Sequence, residues 1–157
     1  MKYFKFLIML CFVGMFFSCG GDDDICESGE GTPRMKVAFR STDGKVMTLD
    51  SLLVSVDYGS GKVELGWDKK IESKLFPLRV DESPYTDVYF KRSIKGPESK
   101  VRINYTTKAT YVSPGCGMKK SYENLTSELI NTTPVVKLEA GQNQIENEDK
   151  TNLYLVF

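Results

Sequence analysis

The side chains able to do chemistry in this sequence are carboxylates, lysines, hydroxyls and four thiols, because no histidine is present. His-dependent triads and HExxH zinc sites are thereby excluded. Asp50, Asp81, Glu82, Asp87, Glu146, Glu148 and Asp149 are the candidate acids and bases. Two carboxylates held about 5 to 9 Å apart across a cleft hydrolyse glycosides. Most of these residues fall in turns or on the polar sides of strands, which fits solvated surface better than a paired site. Ser113 or Ser121 with Lys119 would make a serine–lysine pair, but no oxyanion arrangement accompanies them. Gly59-Ser60-Gly61-Lys62 has the outline of a phosphate loop. Val56 stands where its first glycine belongs and Val63 where its hydroxyl belongs, so the stretch reads as a hairpin turn. The balance of 21 basic and 21 acidic groups removes the electrostatic footprint of a nucleic-acid binder. No catalytic residue, metal ligand or cofactor is assigned. A carboxylate-dependent envelope hydrolase stays the competing class.

The thiols say where the protein works. Lys2 and Lys5 precede an apolar run from Phe6 to Phe17, 12 residues that end at Ser18 and Cys19. As a helix the run is about 18 Å long against a hydrocarbon core of about 30 Å, so it reads as an export signal and not a span. Phe16-Phe17-Ser18-Cys19 resembles the lipobox of bacterial lipoproteins, in which the cysteine is acylated by palmitate-like chains and becomes the new N-terminus. The alternative is an ordinary signal peptide cut near Gly20 or Gly21, which would leave a soluble periplasmic protein. Several acyl chains, at about 0.8 kcal/mol per buried methylene, make an effectively permanent anchor. Processing removes Lys2 and Lys5 and leaves a net charge of −2. Gly20-Gly21-Asp22-Asp23-Asp24 follows as a solvated tether. It resembles the acidic stretch that sends many Bacteroidota lipoproteins to the outer face of the outer membrane; the periplasmic face is the alternative. Cys11 leaves with the signal. Cys26 and Cys116 remain, and in an oxidising compartment they are expected to form a disulfide. Two separate buried thiols are the other reading.

Aromatic residues are the candidate binding groups: Trp67, Tyr85 and Tyr89 offer flat area with polar tips, suited to a glycan or peptide and equally to a sandwich core. Tyr85 and Tyr89 share a strand face with Asp87 and Lys91, opposite Val88 and Phe90. Asp50-Ser51-Leu52 resembles the short motif that is O-glycosylated in Bacteroides-like exported proteins, which makes Ser51 a candidate. The sequons at Asn104, Asn124 and Asn131 carry little weight in a bacterial chain.

The elements that must position these residues follow a period of two. Met35, Val37 and Phe39 alternate with Arg34, Lys36 and Arg40. Asp43-Gly44 predicts a hairpin leading into Lys45–Leu49, and Gly59-Ser60-Gly61 turns Val54–Tyr58 into Val63–Trp67. Further strands are expected at Leu75–Val80, Tyr85–Lys91, Lys100–Thr107, Thr110–Ser113, Val135–Leu138 and Asn152–Phe157. Tyr122, Leu125 and Leu129 predict one short helix within Lys119–Ile130. Short strands separated by turn residues indicate an all-β chain, an antiparallel sandwich or barrel. The expected organisation is a signal peptide over 1–18, a lipidated cysteine and tether over 19–32, and one β domain over 33–157.

Asp24-Ile25-Cys26-Glu27 running through Thr32-Pro33-Arg34, and Ile103-Asn104-Tyr105 leading to Ser113-Pro114-Gly115-Cys116-Gly117, carry a further likeness. On these motifs the chain resembles a family of short Bacteroidota lipoproteins of unknown function. The resemblance implies export, lipid attachment and a β-rich domain with a cysteine pair, and it brings no activity. The expected protein is a non-catalytic binding or scaffolding module, held on the membrane by its lipid, with a glycan, a peptide or another envelope protein as partner. A purely structural envelope component is the remaining reading.

Overall fold

The computed structural model describes residues 31–157. The expectations for the signal peptide, Cys19, the acidic tether and Cys26 lie outside the described residues. The described chain forms β1 (Met35–Arg40), β2 (Leu49–Asp57), β3 (Lys62–Ile71), β4 (Ser73–Phe76), β5 (Tyr85–Lys91), β6 (Glu98–Ser113), β7 (Gly117–Asn131), β8 (Lys137–Ala140) and β9 (Leu153–Val156). No helix occurs among the described residues. The strands make two sheets, ordered β4-β1-β9-β8 and β3-β2-β5-β6-β7. The fold is therefore an all-β sandwich. Every pairing is antiparallel except that of β1 with β9, which is parallel.

Alternation builds the core. Met35, Val37 and Phe39 of β1 and Leu153 and Leu155 of β9 bury one side of the four-stranded sheet. Val54, Val56, Val88, Phe90, Val101 and Ile103 bury the facing side of the other. Phe76 and Phe90 meet edge to face between the sheets, with ring centroids 6.2 Å apart. Asn152 is buried with its side chain satisfied: its Oδ1 accepts from Lys36 N at 3.0 Å, and its Nδ2 donates to Gln142 O and Gln144 O. That residue locks the return of the chain to the start of β1.

Four expectations need correction. The predicted helix over Lys119–Ile130 is part of β7. The β6–β7 register shifts between Asn104 and Thr106, where Asn124 sits at φ 55° in a β-bulge. The extra residue changes the phase, so Tyr122, Leu125 and Leu129 all face inward at spacings of three and four, which mimic a helical face. Lys100–Thr107 and Thr110–Ser113 are one strand, β6, since Lys108 and Ala109 stay paired with Ser121 and Lys120. The Asp43-Gly44 turn forms, with Gly44 at φ 83°, but only Val46 bridges back to Arg40; β1 and β2 then separate into different sheets. Finally, β4 stops at Phe76, before Pro77, instead of continuing to Val80.

Candidate functional site

The outward face of the five-stranded sheet gathers the aromatic candidates. In the β5–β6 ladder Asp87 stands opposite Arg102, and Tyr89 opposite Lys100. Trp67 of β3 lies opposite Leu53 on the same outward face. Register thus makes cross-strand neighbours of rings and charges.

The two tyrosines are covered by cations. Lys62 Nζ lies 4.2 Å and Lys100 Nζ 5.6 Å from the centre of the Tyr89 ring, and the Arg102 guanidinium lies 4.1 Å from that of Tyr85. Asp87 sits between them, accepting from Arg102 Nε at 2.8 Å and Nη2 at 2.9 Å and from Lys100 Nζ at 2.8 Å. Lys62 completes the row by pairing with Glu98. The hydrogen bonds from Arg102 hold the Asp87 carboxyl below its ordinary range, with Lys100 adding to them and burial opposing. The Arg102 and Lys100 pKa values are raised in return. The result is a rigid ladder whose ring faces are already occupied.

A depressed carboxyl stabilises the fold above its unfolded pKa, about 4, and that stabilisation is lost as pH falls through the lower folded value. Asp87→Asn is therefore expected to cost about 2 kcal/mol at pH 7 and much less at pH 3. Urea unfolding at both pH values checks the difference between the variant and the native chain.

Trp67 is presented differently. It is 40% exposed, and with Ser51, Lys69, Arg92, Ser93 and Ile94 it lines a shallow recess of about 360 Å³. Ile94, 78% exposed, supplies further apolar surface. Neither Lys69 nor Arg92 has an ion-pair partner among the described residues. Ser51 lies within β2 and donates its hydroxyl to Arg92 O at 2.7 Å. The recess thus combines a half-exposed indole with two cations that lack ion-pair partners among the described residues, one of which, Arg92, lies 5.5 Å from the centre of the Phe157 ring.

Of the candidate carboxylates, Glu148 and Asp149 line one open recess, where Glu148 is paired with Arg34. Asp81 pairs with Arg79 and Glu82 with Lys120, while Asp50 and Glu146 stand exposed elsewhere. Among the described residues no three Cys, Asp or Glu side chains gather as a metal site. Ser113 Oγ accepts from Cys116 N at 3.2 Å, and Ser121 donates to Lys108 O. The Gly59–Gly61 stretch is the β2–β3 turn, with both glycines at positive φ. Cys116 lies half-buried in the β6–β7 turn, and its expected partner Cys26 is outside the described residues.

Sequence reasoning missed Lys62, Lys100 and Arg102 on the tyrosines, and Lys69, Arg92 and Ile94 around Trp67. The alternation of Lys100 and Arg102 on one side of β6 was the available signal, but only the register tells which rings they meet. No curated protein and no solved structure matches the chain. The model of a family of unknown function, DUF6452, matches residues 49–157, which include Ser113-Pro114-Gly115-Cys116-Gly117 but not the segment around Cys26. That match spans more than half of the chain, which therefore belongs to the family of unknown function DUF6452.

Proposed function

We propose that this chain is an acyl-anchored outer-membrane lipoprotein whose domain binds an acidic glycan at the Trp67 recess without catalysing a reaction. The observation that carries the reading is the half-exposed indole flanked by Lys69 and Arg92, two cations without ion-pair partners among the described residues. An aromatic face suits the apolar side of a sugar ring, and fixed positive charges suit its carboxylate. The non-catalytic reading is supported by three of the candidate acids: Asp81, Asp87 and Glu148 are shifted downward by their donors, the reverse of what a general acid needs.

The anchor is placed at Cys19 on the lipobox-like residues, with the acidic tether favouring the cell-surface leaflet. A Cys26–Cys116 disulfide is proposed with it. Lys120 N donates to Thr32 Oγ1 at 3.1 Å, so the chain six residues past Cys26 lies beside β7 four residues past Cys116. Six extended residues reach about 20 Å, ample to bring Cys26 to the turn. Ser51 remains the candidate for O-glycosylation on its motif; its part-buried hydroxyl donates to Arg92 O.

Trp67 is the sole tryptophan, so its emission reports on the recess directly. Titration with polygalacturonate is expected to shift that emission at low salt, and salt to reverse the effect. A neutral dextran should do nothing. Lys69→Glu combined with Arg92→Glu should weaken the response at least about tenfold. Unchanged emission with the acidic glycan, or an equal response to polyglutamate, overturns the assignment.

A further inference from the structure

The β6–β7 hairpin continues beyond the buried Tyr105 and Tyr122 as an arm. Its pairing runs on through Lys108↔Ser121, Ala109↔Lys120, Thr110↔Lys119 and Tyr111↔Met118 to Ser113↔Gly117. Cross-strand partners share a face, so the arm has two unlike sides. One carries Lys108, Thr110, Lys119 and Ser121. The other prolongs the core-facing side and carries Ala109, Tyr111, Lys120 and Met118. Tyr111 and Met118, directly opposite each other, are each 59% exposed. Lys120 on this side is drawn away to Val80 O and Glu82 Oε1, and Val80 is itself 59% exposed. Apolar surface is therefore left exposed at the end of the arm.

The place where the chain enters the domain identifies the occupant. Thr32 is held at Lys120, on the arm, so a tether beginning at an acylated Cys19 arrives at this end of the molecule. If Cys26 is bridged to Cys116 in the arm's turn, only the six residues Gly20–Ile25 separate the acylated cysteine from the bridge, a reach of at most about 20 Å. The end of the domain nearest the bilayer is then the end that exposes Tyr111 and Met118. Tyrosine favours the membrane–water interface, and an apolar partner beside it adds buried area.

We propose that the tip of the β6–β7 arm rests in the lipid–water interface, with Tyr111 and Met118 among the headgroups, and so fixes the orientation of the domain on the membrane. This rests on the acylation of Cys19 proposed above. The lipid chain supplies the attachment and the arm supplies the angle, which turns the Trp67-bearing sheet face sideways or outward and not onto the bilayer.

The test uses the full acylated chain in vesicles of phosphatidylethanolamine and phosphatidylglycerol containing brominated acyl chains. In a Trp67→Phe background, Tyr111→Trp and Met118→Trp are expected to be quenched about twofold. Lys108→Trp on the opposite side, and native Trp67, should be quenched far less. Intact mass and flotation are read on the same samples. An acylated, vesicle-bound chain whose tryptophans at 111 and 118 are no more quenched than that at 108 overturns the docking of the arm and leaves the anchor standing. A chain that carries no acyl mass overturns both.

Discussion

Cys116→Ser is expected to lower the unfolding free energy by about 4 to 5 kcal/mol in non-reducing buffer, the effect on the chain-entropy model of opening the loop of roughly 90 residues that the proposed bridge to Cys26 would close. For a domain of this size that is a fall of about 10 to 20 °C in melting temperature. The native chain treated with reductant should match the variant, and the variant should be indifferent to reductant. Cys26→Ser should reproduce the loss, because either thiol alone is useless to a cross-link. The turn would survive the substitution, since the Cys116 N–H still reaches Ser113 Oγ. An unchanged melting temperature removes the bridge, and with it the short tether on which the closeness of the arm to the membrane depends.

Tyr122→Ala is the second large effect, expected at about 4 kcal/mol. Its ring is fully buried, stands edge-on to Tyr105 at 5.0 Å between centroids, and points its hydroxyl at Arg79 O, to which it donates at 3.3 Å. Its backbone exchanges hydrogen bonds with Ile145. It is therefore the last packed residue before the arm leaves the sandwich, and removing it would open the core at that exit. Tyr122→Phe keeps the ring and should cost only about 1 kcal/mol, so the pair separates packing from the hydroxyl. Burial pushes the Tyr122, Tyr105 and Tyr58 phenols upward. A raised folded pKa stabilises below the unfolded value, so the native fold should weaken as pH rises beyond about 10, and Tyr122→Phe should weaken less. Urea unfolding at pH 7 and pH 11 checks both statements.

What was legible in the sequence was whatever a single strand can display. β5 appears between the expected ends, and the outward placement of Tyr85, Asp87 and Tyr89 follows from alternation alone. The bulge at Asn124 defeated that logic, because one inserted residue turns a period of two into a false helical spacing. The arm was split in two for a related reason: with no core above Lys108 and Ala109, nothing in their side chains marks the strand as continuing. At the site, Trp67 was visible as a residue type, whereas its neighbours Arg92 and Ile94 come from the turn after β5, two strands away across the sheet. The covering of Tyr89 by Lys62 was equally invisible, since the lysine reaches over from β3.

The parallel pairing of β1 with β9 has a consequence for the biogenesis of the molecule. Residues 37–40 find their partners only at 153–156, so the four-stranded sheet cannot close until β9 has been synthesised. Contacts so distant in sequence form slowly, because the intervening loop must first be ordered. The topology therefore postpones completion of the sandwich until β9 is available to β1.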